Sequence, residues 1–165
     1  MCRFFVGEYM KEDIFDTKNQ FYLNESDFLY LNLAIEKAKE SFFENEVPIG
    51  AVLVYDGNVV IDHNRKVKNN LCTAHAEINV INKMCHLIGD WRLNGATLYI
   101  TMSPCLMCIG AIIEARISKI VYGCGNPLND KYLSLLRERG IIVVGPVDVT
   151  TCGNLLSTFF KEKRN

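Results

Sequence analysis

The sequence contains no apolar run long enough to cross a membrane, and it has no repeat or low-complexity tract. A membrane-spanning helix needs about 20 consecutive, mostly apolar residues, so the sequence predicts no membrane association. Residues 1–10 lack both the apolar stretch and the small-residue cleavage site of a secretory signal peptide. We therefore expect a cytoplasmic protein.

The sequence also lacks an excess of charge of either sign, with 18 Lys and Arg against 19 Asp and Glu and a net charge of −1. Nucleic-acid binding depends largely on basic side chains that meet phosphates, so the overall charge gives no support to such a partner. Local basic clusters still keep a phosphate-contacting role open. They consist of Arg65, Lys66 and Lys68, and of Lys161, Lys163 and Arg164.

A disulfide framework is a poor interpretation of the seven cysteines, because their number is odd and they are scattered along the chain. Disulfides also belong mainly to secreted proteins. We expect reduced thiols, some of which could bind a metal. With 165 residues, of which 49% are hydrophobic, the chain fits one domain with a substantial core.

Hydrophobic periodicity and turn signals predict an α/β domain over residues 24–165, preceded by an N-terminal extension over residues 1–23. Asp56-Gly57 indicates a hairpin between the first two strands. A hairpin followed by alternating helices and strands predicts a mixed sheet with helices on both faces. The predicted elements are a helix over about 24–42, strands over 51–55 and 59–62, a helix over about 73–87, a strand over 96–101, a helix over 105–115, a strand over 120–122, a helix over 128–139, a strand over 141–144 and a helix over 149–161.

A C-x-x-C motif, Cys105 to Cys108, follows the predicted strand 96–101. Ser103 and Pro104 are typical of a helix N-cap and first helical residue, so both thiols fall in the first helical turn and on one side. The partial positive charge of a helix start favours thiolates, which bind zinc. The same arrangement also suits a redox pair, so the motif alone leaves both interpretations open.

His75 and Glu77 supply further chemistry near the start of the preceding helix. Residues two apart do not share a helix face, so the spacing suits a metal beyond the helix end, with His75 as ligand and Glu77 facing a water. Three protein ligands and an open fourth position are typical of catalytic zinc, whereas structural zinc sites are closed by four ligands. Cys72 is a rival ligand, because Cys72-x-x-His75 also has metal-binding spacing.

The combination of His75-Ala76-Glu77 with Pro104-Cys105-x-x-Cys108 is far more specific than either half. It is the signature of zinc-dependent nucleobase deaminases, in which a glutamate that is not a ligand moves the protons. The expected chemistry is attack of an activated water on the ring carbon that carries the exocyclic amine, followed by release of ammonia.

Longer stretches extend this match, and the chain resembles the bacterial tRNA-specific adenosine deaminases over about residues 26–164. The runs that carry the resemblance are Val47–Val54, His63–Arg65, Thr73–Ile78, Trp91–Leu93, Ala96–Thr101, Pro104–Ile112 and Leu155–Phe160.

The resemblance implies a zinc-dependent deaminase domain over residues 24–165. Its fold would be cytidine-deaminase-like, three α/β/α layers with a central mixed sheet of about five strands. It also implies a homodimer with Zn²⁺ in each subunit, converting adenosine to inosine at the wobble position of a tRNA anticodon loop. The residues it assigns are the zinc ligands His75, Cys105 and Cys108, the proton shuttle Glu77, and the substrate contacts Asn64, Ala76, Ile49 and Asn126.

The chain departs from these relatives in the region expected to lie near the substrate. Ser103 stands where they commonly carry Glu, Asn126 falls where an acidic residue is usual, and the Gly-rich stretch that should follow is missing. Three alternatives follow: a deaminase of a free nucleobase or nucleoside such as guanine or cytosine, a non-catalytic deaminase-fold subunit, and a structural zinc module. The presence of Glu77 argues against the second, and the three convergent ligands argue against the third.

Overall fold

The computed structural model describes residues 23–164, and the predicted extension therefore lies outside it except for Leu23. Within the described residues, no helix is long and apolar enough to cross a membrane. The elements are α1 (Glu25–Phe43), β1 (Gly50–Tyr55), β2 (Asn58–His63), α2 (Ala76–Ile88), β3 (Thr97–Met102), α3 (Leu106–Glu114), β4 (Lys119–Cys124), α4 (Pro127–Asp130), α5 (Leu133–Glu138), β5 (Ile142–Val144) and α6 (Val149–Arg164).

The five strands form one mixed sheet in the order β2-β1-β3-β4-β5. The hairpin signal at Asp56-Gly57 does join two antiparallel strands, β1 and β2, and β1 is also antiparallel to β3. The strands β3, β4 and β5 run parallel to one another. Parallel neighbours need crossover connections, and α3 supplies the one between β3 and β4.

Alternate residues of each strand enter different cores, as the two-residue period of a strand requires. In β1, Leu53 packs on the side of α2, α3 and α5, whereas Val52 packs on the side of α1. Cys152 of α6 shares a smaller buried cluster with Leu31 of α1. Helices therefore cover both faces of the sheet, and the predicted three-layer α/β/α fold is confirmed.

The helix α1 lies very close to the first strand. A Cβ atom added at Gly50 would overlap the backbone carbonyl of Ala34, so only glycine permits this approach. The start of α1 is also anchored to the sheet through the buried Asp27, whose carboxylate accepts hydrogen bonds from Tyr99 Oη at 2.9 Å and Lys119 Nζ at 2.9 Å. These contacts fix the layer opposite to the one that carries the site.

Three helices differ from their predicted extents. The last helix, predicted over 149–161, continues to Arg164. The helix predicted from about residue 73 begins at Ala76, because His75 has extended backbone angles (φ −77°, ψ 153°) and is the N-cap. The helix predicted over 128–139 is two short helices, α4 and α5. It divides because the side chains of Asn129 and Asp130 bond back to Ser103 and Asn126 at the end of the sheet.

Candidate active site

The starts of α2 and α3 meet at the edge of the sheet where β3 and β4 end. His75 is the N-cap of α2 and Cys105 is the N-cap of α3, both with extended backbone angles. Neither makes a side-chain capping hydrogen bond, so the side chains of both N-cap residues remain available as ligands. Cys108 lies in the first turn of α3 and is buried.

These three residues bring their ligand atoms into one triangle. His75 Nδ1 lies 3.6 Å from Cys105 Sγ and 3.6 Å from Cys108 Sγ, and the two sulfur atoms are 3.6 Å apart. Zinc–sulfur bonds of about 2.3 Å and zinc–nitrogen bonds of about 2.0–2.1 Å, at tetrahedral angles, place such atoms roughly 3.6–3.8 Å apart. The triangle therefore fits a tetrahedral zinc ion with three protein ligands.

The protonation of the triangle also suits a metal. Hydrogen bonds from Cys108 and His75 lower the pKa of the Cys105 thiol to about 4, so a thiolate is present at neutral pH. The pKa of Cys108 is raised by its hydrogen bond to Cys105 and by burial. The hydrogen bond to Cys105 raises the pKa of His75. Zinc binding releases the protons that remain on these groups, because its ligands must be deprotonated.

Glu77, in the first turn of α2, is buried beside the triangle, whose three side chains all affect the pKa of its carboxylate. Burial raises the pKa of Glu77 to about 6. Its Oε2 is buried and has no hydrogen-bond partner among the described residues. An orphaned buried carboxylate oxygen is costly, and its position next to three metal-ligand atoms marks it as a group for a water or a substrate.

Asn64 borders the start of α2 on the other side. Its Oδ1 accepts a hydrogen bond from the backbone N–H of Ala76 at 3.0 Å, and its own N–H donates to the carbonyl of Ile49 at 3.0 Å. The structure therefore brings three of the predicted substrate contacts together beside His75. The neighbouring His63 is buried, and its Nδ1 lies 2.8 Å from the carbonyl of Asn64, which is a structural role.

Asn126, the fourth predicted substrate contact, lies after β4 and next to the loop that carries Cys105. Its Oδ1 accepts a hydrogen bond from Leu128 N at 3.0 Å and so caps α4. Its backbone N–H donates to Ser103 Oγ at 2.9 Å. Sequence reasoning noted Ser103 as a departure from relatives but missed this contact, for which the Asn-Pro helix start at 126–127 was the available signal.

The rival ligand Cys72 is exposed and does not belong to the group. Within residues 23–164, the only set of three or more such side chains close enough to hold a metal ion is His75, Cys105 and Cys108.

A comparison with known proteins matches the part of the chain that contains the site. A family profile described as "Cytidine and deoxycytidylate deaminase zinc-binding region" matches residues 24–124, more than half of the chain. The chain belongs to this deaminase family. Membership confirms the predicted zinc cofactor and a zinc-dependent hydrolytic deaminase as the enzyme class.

Individual relatives narrow the comparison within the family. The tRNA-specific adenosine deaminase of Bacillus subtilis (strain 168) is 42% identical over 146 residues, which cover 84% of this chain and 91% of the relative. A solved structure from work on A-to-I editing by tRNA:A34 deaminases has a TM-score of 0.72 and 37% identity, covering 78% of this chain and 99% of that one. Guanine deaminase from Bacillus subtilis is more distant, with a TM-score of 0.58 and 28% identity over 87% of this chain and 96% of that one. The predicted resemblance is thereby confirmed.

Proposed function

We propose that this enzyme converts adenosine to inosine at the wobble position of a tRNA anticodon loop. The observation that carries the choice of substrate is the 42% identity to a tRNA-specific adenosine deaminase over nearly the whole of that relative. The observation that carries the chemistry is the orphaned Oε2 of Glu77 beside the His75, Cys105 and Cys108 triangle.

In this proposal His75, Cys105 and Cys108 hold the zinc. When bound there, zinc lowers the pKa of a coordinated water towards about 7. Glu77 accepts a proton from the attacking water and returns protons to the ring nitrogen and to the departing amine. A carboxyl group whose pKa burial has raised to about 6 suits this double role near neutral pH, because a general acid–base works best when its pKa lies close to the working pH.

Asn64 orients the base. The N–H of Ala76 can only donate, so the atom that meets it must be the carboxamide oxygen of Asn64. This fixes Nδ2 as the donor that remains for an acceptor nitrogen of a purine ring. Ile49, whose carbonyl holds Asn64 N, and Ala76 complete this side of the base pocket.

An anticodon loop suits a deaminase site, because a loop base costs less to unstack and bring into the site than a paired base. Lys66 is exposed, and its charge opposes the rise in the pKa of His75, so it lies near the site. Its neighbours Arg65 and Lys68 are paired with Asp62 and Glu44. Lys66 is therefore the basic group of this cluster that we assign to a substrate phosphate.

We also propose a homodimer that acts in the cytoplasm, where tRNA is modified and used. The two helices that carry the site pack against each other and expose apolar side chains. In α3 these are Leu106, at 51% exposure, and Met107, at 37%, while Leu87 of α2 is 58% exposed. Sedimentation should give the mass of two chains, and Met107→Glu should shift the protein to the monomer.

The test of function is a side-by-side assay with the purified holoenzyme. The substrates are an anticodon stem-loop with a wobble adenosine, the same stem-loop with the adenosine moved into the stem, and free adenosine, guanine and cytosine. Inosine is expected in the first RNA alone, and the rate should fall steeply with added salt if phosphate contacts contribute. Turnover of guanine or cytosine without any of the stem-loop would overturn the proposal.

A further inference from the structure

Ser103 is a buried polar residue that the catalytic chemistry does not use. It lies between the end of β3 and the ligand Cys105. Its backbone N–H donates to the carbonyl of Cys124 at 2.9 Å, its hydroxyl accepts from Asn126 N at 2.9 Å, and its carbonyl accepts from Asn129 Nδ2 at 3.1 Å. Three hydrogen bonds of one residue therefore tie the ligand-bearing loop to the turn that follows β4.

Asp130, at the other end of the same turn, also holds it through a hydrogen bond. Its Oδ1 accepts a hydrogen bond from Asn126 N at 3.1 Å, so one backbone N–H is shared between the Ser103 hydroxyl and the Asp130 carboxylate. The carboxylate also lies close to the backbone at Gly125, where an added Cβ would come within 2.6 Å of Oδ2. The turn can close this tightly because residue 125 is a glycine.

We propose that Ser103 and Asp130 are positioning residues, which hold the turn from Cys124 to Asp130 as one wall of the substrate site. This inference rests on the proposed function, because it takes the nucleotide to bind along that turn. The shared N–H of Asn126 is the point where both act, and it is only partly buried. Neither residue touches the reacting atoms.

The shared N–H predicts a specific pattern in a double-mutant cycle. Ser103→Ala or Asp130→Ala removes one acceptor and leaves the other, so the turn shifts little. The double variant leaves the partly buried N–H with no protein acceptor, which costs more than losing one of two acceptors. The effect of the double variant on substrate binding should therefore exceed the product of the two single effects.

The measurement is the KM and kcat of the holoenzyme on the wobble-adenosine stem-loop. Each single variant should raise KM about 3-fold and the double variant on the order of 30-fold, because only the fraction of enzyme with a formed turn binds substrate. The kcat and the zinc content should stay within about 2-fold of wild type. Asp130→Asn, which keeps an oxygen acceptor, should retain the wild-type KM.

The matched control is Ser118→Ala. The Ser118 hydroxyl also accepts a backbone hydrogen bond, from Gly95 N at 2.7 Å, but it lies before β4 at the opposite edge of the sheet. This variant should leave KM unchanged. The inference would be overturned if the rise in KM of the double variant equals the product of the two single rises. It would also be overturned if the KM of the double variant is no higher than that of Ser118→Ala, even if melting temperatures fall.

Assays of the wild-type enzyme distinguish a failure of this inference from a failure of the proposed function. If wild type ignores the stem-loop but deaminates a free base, the proposed substrate is wrong, and the cycle is then measured on that base. A synergistic rise in KM for the base supports the positioning role, and its absence overturns it.

Discussion

Three helix starts differ in how the side chain at the N-cap position is used. The first N–H groups of a helix have no partner within the helix. At α1, Asn24 and Asp27 form a capping box, in which Asn24 Oδ1 accepts from Asp27 N at 2.9 Å and Asp27 Oδ2 accepts from Asn24 N at 3.1 Å. At α2 and α3 the N-cap residues are His75 and Cys105, and neither caps its helix with its side chain.

The difference shows what each helix start contributes. In α1 the local side chains satisfy the backbone, and the buried Asp27 also holds Tyr99 and Lys119, so this start stabilises the fold. In α2 and α3 the cap positions carry metal-binding side chains instead, and the partial positive charge of each helix start is directed at thiolates and a carboxylate. At α2 the first N–H is satisfied from outside the helix, by Asn64 Oδ1, so the cap position is free to carry a ligand.

This comparison predicts that changes at α2 and α3 remove zinc or activity, whereas changes at α1 lower stability and spare activity. The largest effect is expected for Cys108→Ala. Removing a ligand should weaken zinc binding by at least about 100-fold, since even residues that only support the ligands contribute 10- to 100-fold. Turnover should be lost with the metal.

Metal analysis of the purified variant checks this expectation against wild type, which should hold a single zinc ion in the His75, Cys105 and Cys108 group. Cys72→Ala is the control, because Cys72 is an exposed cysteine three residues before a ligand. It should keep full zinc and activity. Full zinc in Cys108→Ala, with loss in Cys72→Ala, would exchange the two assignments.

The next effect belongs to Glu77→Gln at the start of α2. The variant should keep its zinc, because the glutamate is not part of the ligand triangle, and should lose about 10²–10⁴-fold in turnover, the usual cost of a proton-transfer group. Single-turnover assays on the stem-loop and zinc analysis measure the two quantities. Glu114→Gln, an exposed substitution at the end of α3, should behave as wild type. Near-normal turnover in Glu77→Gln would refute the proton-shuttle role.

The ligand triangle could be predicted from the sequence because its information is local. Spacings of two and three residues at two helix starts define the chemistry, and the structure brings those residues together. The start of α2 was misplaced by about three residues because Thr73 reads as a cap, whereas the extended His75 occupies that position.

The turn after β4 could not be predicted in the same way. Its shape depends on Ser103, whose carbonyl holds the side chain of Asn129 from 26 positions away. Hydrophobic periodicity carries no record of such a contact, so the sequence predicted one helix over residues 128–139 where the structure has two. The Asp27 to Lys119 contact, at a separation of 92 positions, was missed for the same reason.

On the stabilising side of the comparison, Asn24→Ala should lower the free energy of unfolding by about 1 kcal/mol, which is typical for a lost N-cap. Zinc content and kcat should not change. Asn24→Gly is the matched variant, since glycine at an N-cap costs only a few tenths of a kcal/mol. Urea unfolding of both variants gives the values. A loss of activity without a loss of stability would show that α1 acts on the site and would break the contrast between the helix starts.

The smallest effect is expected from removing residues 1–23. Asn24 would then carry the new amino group, which can still donate to Asp27, so the capping box is kept. The one described contact that is lost is that of Leu23, a partly buried side chain packed on the cluster around Val52 and Tyr99. Partial burial of a leucine contributes about 1 kcal/mol or less, which corresponds to about 2–4 °C in melting temperature for a domain of this size. A second truncation that begins at Leu23 is the control, and it should melt at the wild-type temperature. A larger fall in both truncated chains would mean that residues 1–22 stabilise the domain, and the predicted boundary of the deaminase domain at residue 24 would then be wrong.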